Sequence, residues 1–114
     1  MYKKVLSDED VREKYEIALL STNYLNSKRI INEYEDNIID LSADRLEIHH
    51  RIVHHIEYVV STMYDKEKII IENEVLRGMR GKWYKGIMSS PSYYRYRKKA
   101  YQNFLRCLWV PEDV

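Results

Sequence analysis

Ser89-Ser90-Pro91-Ser92-Tyr93-Tyr94-Arg95-Tyr96-Arg97-Lys98-Lys99-Ala100-Tyr101-Gln102-Asn103-Phe104-Leu105-Arg106-Cys107-Leu108 is the stretch on which the reading of this chain turns. Its opening residues spell a turn that runs into a helix start. Ser90 can cap, and Pro91 suits the first helical position, where a missing N–H leaves no bond unmade. At 100° per residue, Tyr93, Ala100, Phe104 and Leu108 then fall along one side of a helix, with Tyr96 or Arg97 beside them. Ser92, Arg95, Lys99, Gln102 and Arg106 fall on the opposite side, and Pro111 stops the element. Small Ala100 lets this helix approach its neighbours closely. Just upstream, Gly81 precedes Lys82 to Met88, in which Trp83, Tyr84, Ile87 and Met88 stand at helical spacing. A short helix, a tight turn and a longer basic helix are the parts of a helix-turn-helix.

Residues 1–77 contain neither Gly nor Pro, which argues against a β-sandwich with its frequent turns, and long helices are expected. Ser7 or Asp8 can cap a first helix, with Asp8, Glu9 and Asp10 at its positive end. Tyr15, Leu19, Ile30, Tyr34, Ile38 and Leu41 read as its buried face, and Ser21 to Ser27 as a weakly helical middle that could kink it. Ser42 and Asp44 signal a second helix with Leu46, Ile52 or Val53, Ile56, Val59 or Val60 and Met63 on one stripe. Asp65 offers a cap for a third, from about Lys66 to Arg77, with Gly78 just past its end. The expected fold is all-α: a long N-terminal helix or helical hairpin followed by a compact helix-turn-helix headpiece. The expected division is an acidic stalk or assembly segment over 1–54, a headpiece over 55–110 and a tail over 111–114.

A net charge of +1 hides a strong asymmetry. Residues 1–74 hold ten Lys/Arg against sixteen Asp/Glu, a net of −6; residues 75–111 hold nine Lys/Arg and no acid, and Glu112 and Asp113 follow. The acid-free block is Arg77, Arg80, Lys82, Lys85, Arg95, Arg97, Lys98, Lys99 and Arg106, and the natural partner of such a field is a polyanion. On a helix-turn-helix, Ser90, Ser92, Tyr94, Arg95 and Lys98 would lie nearest base edges and phosphates, with Lys99 beside them. Arg80, Lys82 and Lys85 would grip the backbone of duplex DNA.

Three segments carry a resemblance. Val75-Leu76-Arg77-Gly78, Lys82-Trp83-Tyr84-Lys85 and Ser92-Tyr93-Tyr94-Arg95-Tyr96-Arg97-Lys98-Lys99-Ala100 resemble sigma-factor region 4-like regulators, in particular the ArpU/RinA-type phage transcriptional regulators. The likeness covers about residues 55–108 and is sharpest from Ser92 to Ala100, ending in Phe104-Leu105-Arg106-Cys107-Leu108. It implies that Tyr94, Arg95, Lys98 and Lys99 face DNA and that the protein acts in transcription, beside RNA polymerase. Residues 1–54 are outside it.

Other signals are weaker. His49, His50, His54 and His55 are all the histidines; His50 and His54 at i,i+4, with Glu57 a turn on, could hold a divalent ion if a partner supplied another ligand, or form a solvated or interfacial face that titrates. The interleaved Tyr93, Tyr94, Tyr96 and Tyr101 could stack on unpaired bases, although packing inside a headpiece is the simpler use. Trp83 and Cys107 read as core. Gly81 and Gly86 have phosphate-loop separation, but Ile87-Met88 replaces the Lys-Ser/Thr that such a loop needs. No catalytic residue, enzyme activity, cofactor or metal site is expected. A single cysteine excludes an intramolecular disulfide, and no apolar run reaches the roughly 18–20 residues of a membrane span, so a soluble, cytoplasmic protein is expected. The first two helices carry more apolar stripe than a hairpin covers. A homodimer through them or a protein partner would bury the excess, or helix one folds back on its neighbours. The function expected is DNA-binding transcription regulation; the alternatives are a helical interaction module whose basic block meets an acidic protein surface, and RNA binding.

Overall fold

The computed structural model describes residues 8–109, which form helices joined by three connections. Helix α1 spans Asp8–Glu35, α2 Ala43–Ser61 and α3 Asp65–Ile71; α3 widens into a π-helical turn, Glu72–Leu76, and α4 spans Ser90–Trp109. The protein is all-α with a long N-terminal helix. Ser7 and Pro111, expected to start the first helix and stop the last, lie outside the described residues. Among the described residues no helix is long and apolar enough to cross a membrane.

Helix α1 runs unbroken through Ser21–Ser27 because its weak formers are used in tertiary bonds. Ser21 Oγ donates to the Val75 carbonyl at 2.9 Å, and Ser27 Oγ shares a hydrogen bond of 2.9 Å with His49 Nδ1. Each such bond contributes about 1 kcal/mol, more than the few tenths that serine costs a helix interior. The buried face is Glu13, Ile17, Ser21, Tyr24, Ser27 and Ile31. This corrects the apolar stripe expected from Tyr15, Leu19 and Ile38, which are 68%, 48% and 68% exposed. Serines in the packed row carry no apolar signal, so the apolar stripe in the sequence is rotated from the buried face.

Helix α2 starts as its cap predicts, with Ser42 Oγ accepting from the Arg45 N–H at 3.3 Å, and buries Ile56, Val59 and Val60. It is continuous across residues 54 and 55. The pairs Ser27–His49 and Tyr24–Glu57 run in opposite order along α1 and α2, so the two form an antiparallel hairpin. Asp65 does not cap α3. It sits in the left-handed region at φ 55, and Tyr64 holds the cap position with no side-chain bond. The π turn ends with the Met79 N–H on the Asn73 carbonyl at 2.9 Å and Gly78 at φ +65, as expected of a glycine past a helix end.

Residues 82–88 are not the short helix expected. Lys85 N–H bonds to the Lys82 carbonyl and the Ile87 and Met88 N–H groups to that of Tyr84, giving a run of turns with Gly81 at its start and Gly86 within it, at φ 71 and 87. Two left-handed residues five apart interrupt any continuous α ladder. The connection from the π turn to α4 therefore fills residues 77–89, and the tight turn of a helix-turn-helix is replaced by this longer loop. Ser89 rather than Ser90 caps α4: its Oγ accepts from the Ser92 N–H at 3.3 Å and its carbonyl from the Tyr93 N–H at 2.9 Å. Pro91 consequently stands second in the helix, a position whose N–H has no intrahelical acceptor either.

One core joins all four helices. Ile17 and Tyr24 of α1 meet Ile56, Val59 and Val60 of α2, Ile70, Ile71 and Val75, and Ala100, Tyr101, Phe104, Leu105 and Leu108 of α4. Ala100 and Phe104 are fully enclosed, as their side of the helix predicts. Cys107 is exposed, contrary to its reading as core, because Leu108 takes the inward position beside it. A β-carbon at Gly78 would stand 2.8 Å from Leu25 Cδ1. Gly78→Ala is expected to cost about 1–2 kcal/mol from the left-handed backbone, with the Leu25 contact added. Urea unfolding of Gly78→Ala alone and in a Leu25→Ala background separates the two parts; equal costs in both backgrounds mean that the close approach contributes nothing.

Candidate nucleic-acid interface

The basic block folds into two surfaces that share helix α4. On the outward side, Arg95, Lys99, Gln102 and Arg106 are exposed on one face, separated by three and four residues. The Arg95 guanidinium lies 5.2 Å from the centre of the Tyr96 ring, on whose face Lys66 also sits at 5.0 Å. Among the described residues the ion pairs are Lys28–Glu57, Arg29–Glu33 and Arg51–Glu47, so no cation of residues 77–106 is neutralised by one.

The second surface is a cleft of about 230 Å³ between the N-terminal half of α1, the 77–89 connection and the first half of α4. Glu74, only 5% exposed, lies at its base. Its carboxylate accepts hydrogen bonds from the Tyr93 and Tyr101 hydroxyls and from Trp83 Nε1 at 2.9 Å. Arg80 Nη1 donates to the Glu74 and Met79 carbonyls, both at 3.0 Å, which straps the loop to the π turn. Around this carboxylate the rings pack on one another: Tyr84 stacks on Tyr93 at 3.9 Å, and Trp83 meets both edge-on at 6.0 and 5.9 Å. Arg97 covers the cluster, 5.8, 4.9 and 5.6 Å from the rings of Tyr93, Tyr94 and Tyr101. Packing, rather than free rings for base stacking, accounts for Tyr93 and Tyr101.

Burial raises both of those phenols well above the ordinary tyrosine range, and the Glu74 charge and hydrogen bonds raise them further. Tyr24 behaves alike: burial first, then its bond of 2.5 Å to Glu57 Oε2, raises it. Glu13 is raised by burial and by Glu9, Asp10 and Glu16, while Lys98 opposes the shift. Lys98 is itself exposed on α4.

The expected site residues divide accordingly. Arg95 and Lys99 share the outward face; Arg80, Lys82 and Tyr94 line the cleft; Lys85 and Ser90 are exposed on the loop and at the α4 start; and Ser92 accepts from Ser89 Oγ at 3.0 Å. Among the described residues no three His, Cys, Asp or Glu side chains gather as His50, His54 and Glu57 would have to, and Glu57 is engaged by Tyr24 and by Lys28 at 3.5 Å. His55 instead bonds the Leu108 carbonyl through Nε2 at 2.9 Å. Sequence reasoning missed Glu74, Arg97 and Lys14. Glu74 had one signal, as the last acid before the acid-free block, and Arg97 stands four residues from both Tyr93 and Tyr101.

Replacing Glu74 with Gln leaves one acceptor oxygen for three donors, and Glu74→Gln should lose about 2–4 kcal/mol in denaturant unfolding. Because the folded tyrosines hold their protons while unfolded ones ionise near pH 10, their stabilisation is complete below that pH and lost as pH rises beyond it. Each can contribute up to about 1.4 kcal/mol per pH unit. Stability should therefore fall steeply above about pH 10, and less steeply in Tyr101→Phe; an unchanged slope in that variant would contradict the assignment. Comparison with protein-family models, with curated proteins and with solved structures returns no match.

Proposed function

We propose that this protein binds duplex DNA through the outward face of α4 and works as a transcription regulator. The observation that carries the binding is the run of Arg95, Lys99, Gln102 and Arg106 on one exposed helix face, within a segment free of acids from residue 75 to 109. A helix about 10–12 Å across fits the major groove, and Arg and Gln donate to base edges and phosphates there. Lys85 and the exposed start of α4 at Ser90 add backbone contacts. This reading rests on charge and exposure, not on a helix-turn-helix, since turns stand where its short helix would be. The regulatory role rests on the likeness of residues 55–108 to sigma region 4-like regulators.

A second reading has its own support. Val11, Tyr15 and Leu19 stand at i, i+4 and i+8 on α1 and are all exposed, an apolar stripe suited to another helix. Through it the protein would dock on a second copy, presenting two α4 helices to two half-sites, or on a protein partner such as RNA polymerase.

Fluorescence anisotropy with labelled random duplex DNA over a salt series tests the first reading. Neutralising four to six phosphates predicts a log–log slope of about −4 to −5. In Arg95→Ala/Lys99→Ala the slope should shrink by roughly 2. Competition with structured RNA distinguishes the nucleic acids. Absence of binding at low salt removes DNA and leaves the protein-partner reading.

A further inference from the structure

The Glu74 cleft holds more cationic donors than its own structure uses. Lys14 of α1, Arg80 and Lys82 of the connection and Arg97 of α4 converge on it from three separate stretches of chain. Glu74 is its acid, and that carboxylate is already met by two phenols and an indole. Arg97 is the most telling member. It lies partly buried over three tyrosine rings, yet none of its N–H groups makes a hydrogen bond among the described residues. No side-chain nitrogen is both buried and unbonded, so these donors reach solvent at the cleft. Arg80 spends only Nη1 on carbonyls, which leaves Nη2 and Nε. Lys14 and Lys82 are exposed.

We propose that this cleft is a binding site for a phosphate carried on an aromatic ring, the chemistry of a nucleotide. Planar guanidinium donors suit the oxygens of a phosphate, and the lysines add point charges. Trp83 and Tyr94 supply aromatic wall against which a base can lie, with the Arg97 guanidinium 4.9 Å from the Tyr94 ring. At about 230 Å³ the space is below the roughly 300–1,000 Å³ of pockets for drug-sized ligands, which limits it to one nucleotide rather than a stretch of strand. The site stands apart from the outward face: Arg95 and Lys99 take no part in it. Its nucleotide comes either free from solution or as one unpaired residue of a strand.

Trp83 reports on the cleft directly, and in Trp109→Phe it is the single tryptophan. Its fluorescence should change saturably when that protein is titrated with adenosine 5′-monophosphate. Inorganic phosphate alone and adenosine alone should bind more weakly by about tenfold or more. Adding Lys14→Ala/Lys82→Ala should weaken the mononucleotide at least about tenfold, since two charge-assisted contacts are lost, whereas Arg95→Ala/Lys99→Ala should leave it unchanged while weakening duplex binding. A five-nucleotide single strand that binds more tightly than the mononucleotide, and loses that advantage in the cleft variant, assigns the source to a strand; equal or weaker binding assigns it to a free nucleotide. No saturable change up to about 10 mM mononucleotide, or equal affinity in the cleft variant, overturns the proposal whatever the result with duplex DNA.

Discussion

A carboxylate buried among aromatic rings governs this structure. Glu74 is the last acid before the basic block, and it sits where the π turn, the following connection and α4 meet. Alone, its desolvation would cost several kcal/mol. Three donors from Trp83, Tyr93 and Tyr101 replace the lost water, and those donors would themselves be orphaned without it. The arrangement is mutual, so it fixes the rotation of α4 about its axis more narrowly than apolar packing alone. A slip of one residue would turn the helix by 100° and carry Arg95 and Lys99 off the outward face.

That rotation sorts the positive charge by use. One edge of α4 sends Arg97 over the tyrosines, where its charge lies against their rings. The far side leaves Arg95, Lys99 and Arg106 exposed, and among the described residues none of them is in an ion pair. Arg97 and Arg95 are two residues apart and of one type, and their surroundings give them different work. A count of nine cations in the block overstates the number available to a partner on any one face.

Which features were legible follows from where each stabilising partner lies. Helix α2 was readable because Ser42 caps locally and its apolar row is buried. The inward side of α4 was readable for the same reason, from Tyr93, Ala100 and Phe104. The buried face of α1 was not, since Ser21 and Ser27 are packed by hydrogen bonds to Val75 and His49 far along the chain. Residues 82–88 have helical spacing of Trp83, Tyr84 and Ile87, yet Gly81 before them and Gly86 among them adopt left-handed backbone that no periodicity reveals. At the candidate interface Arg95 and Lys99 could be placed on one face by arithmetic. The cleft could not, because Lys14, Arg80 and Arg97 meet only through the tertiary fold.

The π turn carries a consequence for how the molecule comes apart. Between Ile70 and Val75 every residue but Glu72 is buried, so this short segment is enclosed on nearly all sides rather than along one stripe. Helix α1 covers it through Ser21, and α4 covers it through Tyr93 and Tyr101. Its amides can exchange with solvent only when both covers have left, whereas the ends of α1 and α4 can fray singly. The slowest-opening unit is therefore expected to be one of the shortest helical pieces, with the ends of the longer helices opening first.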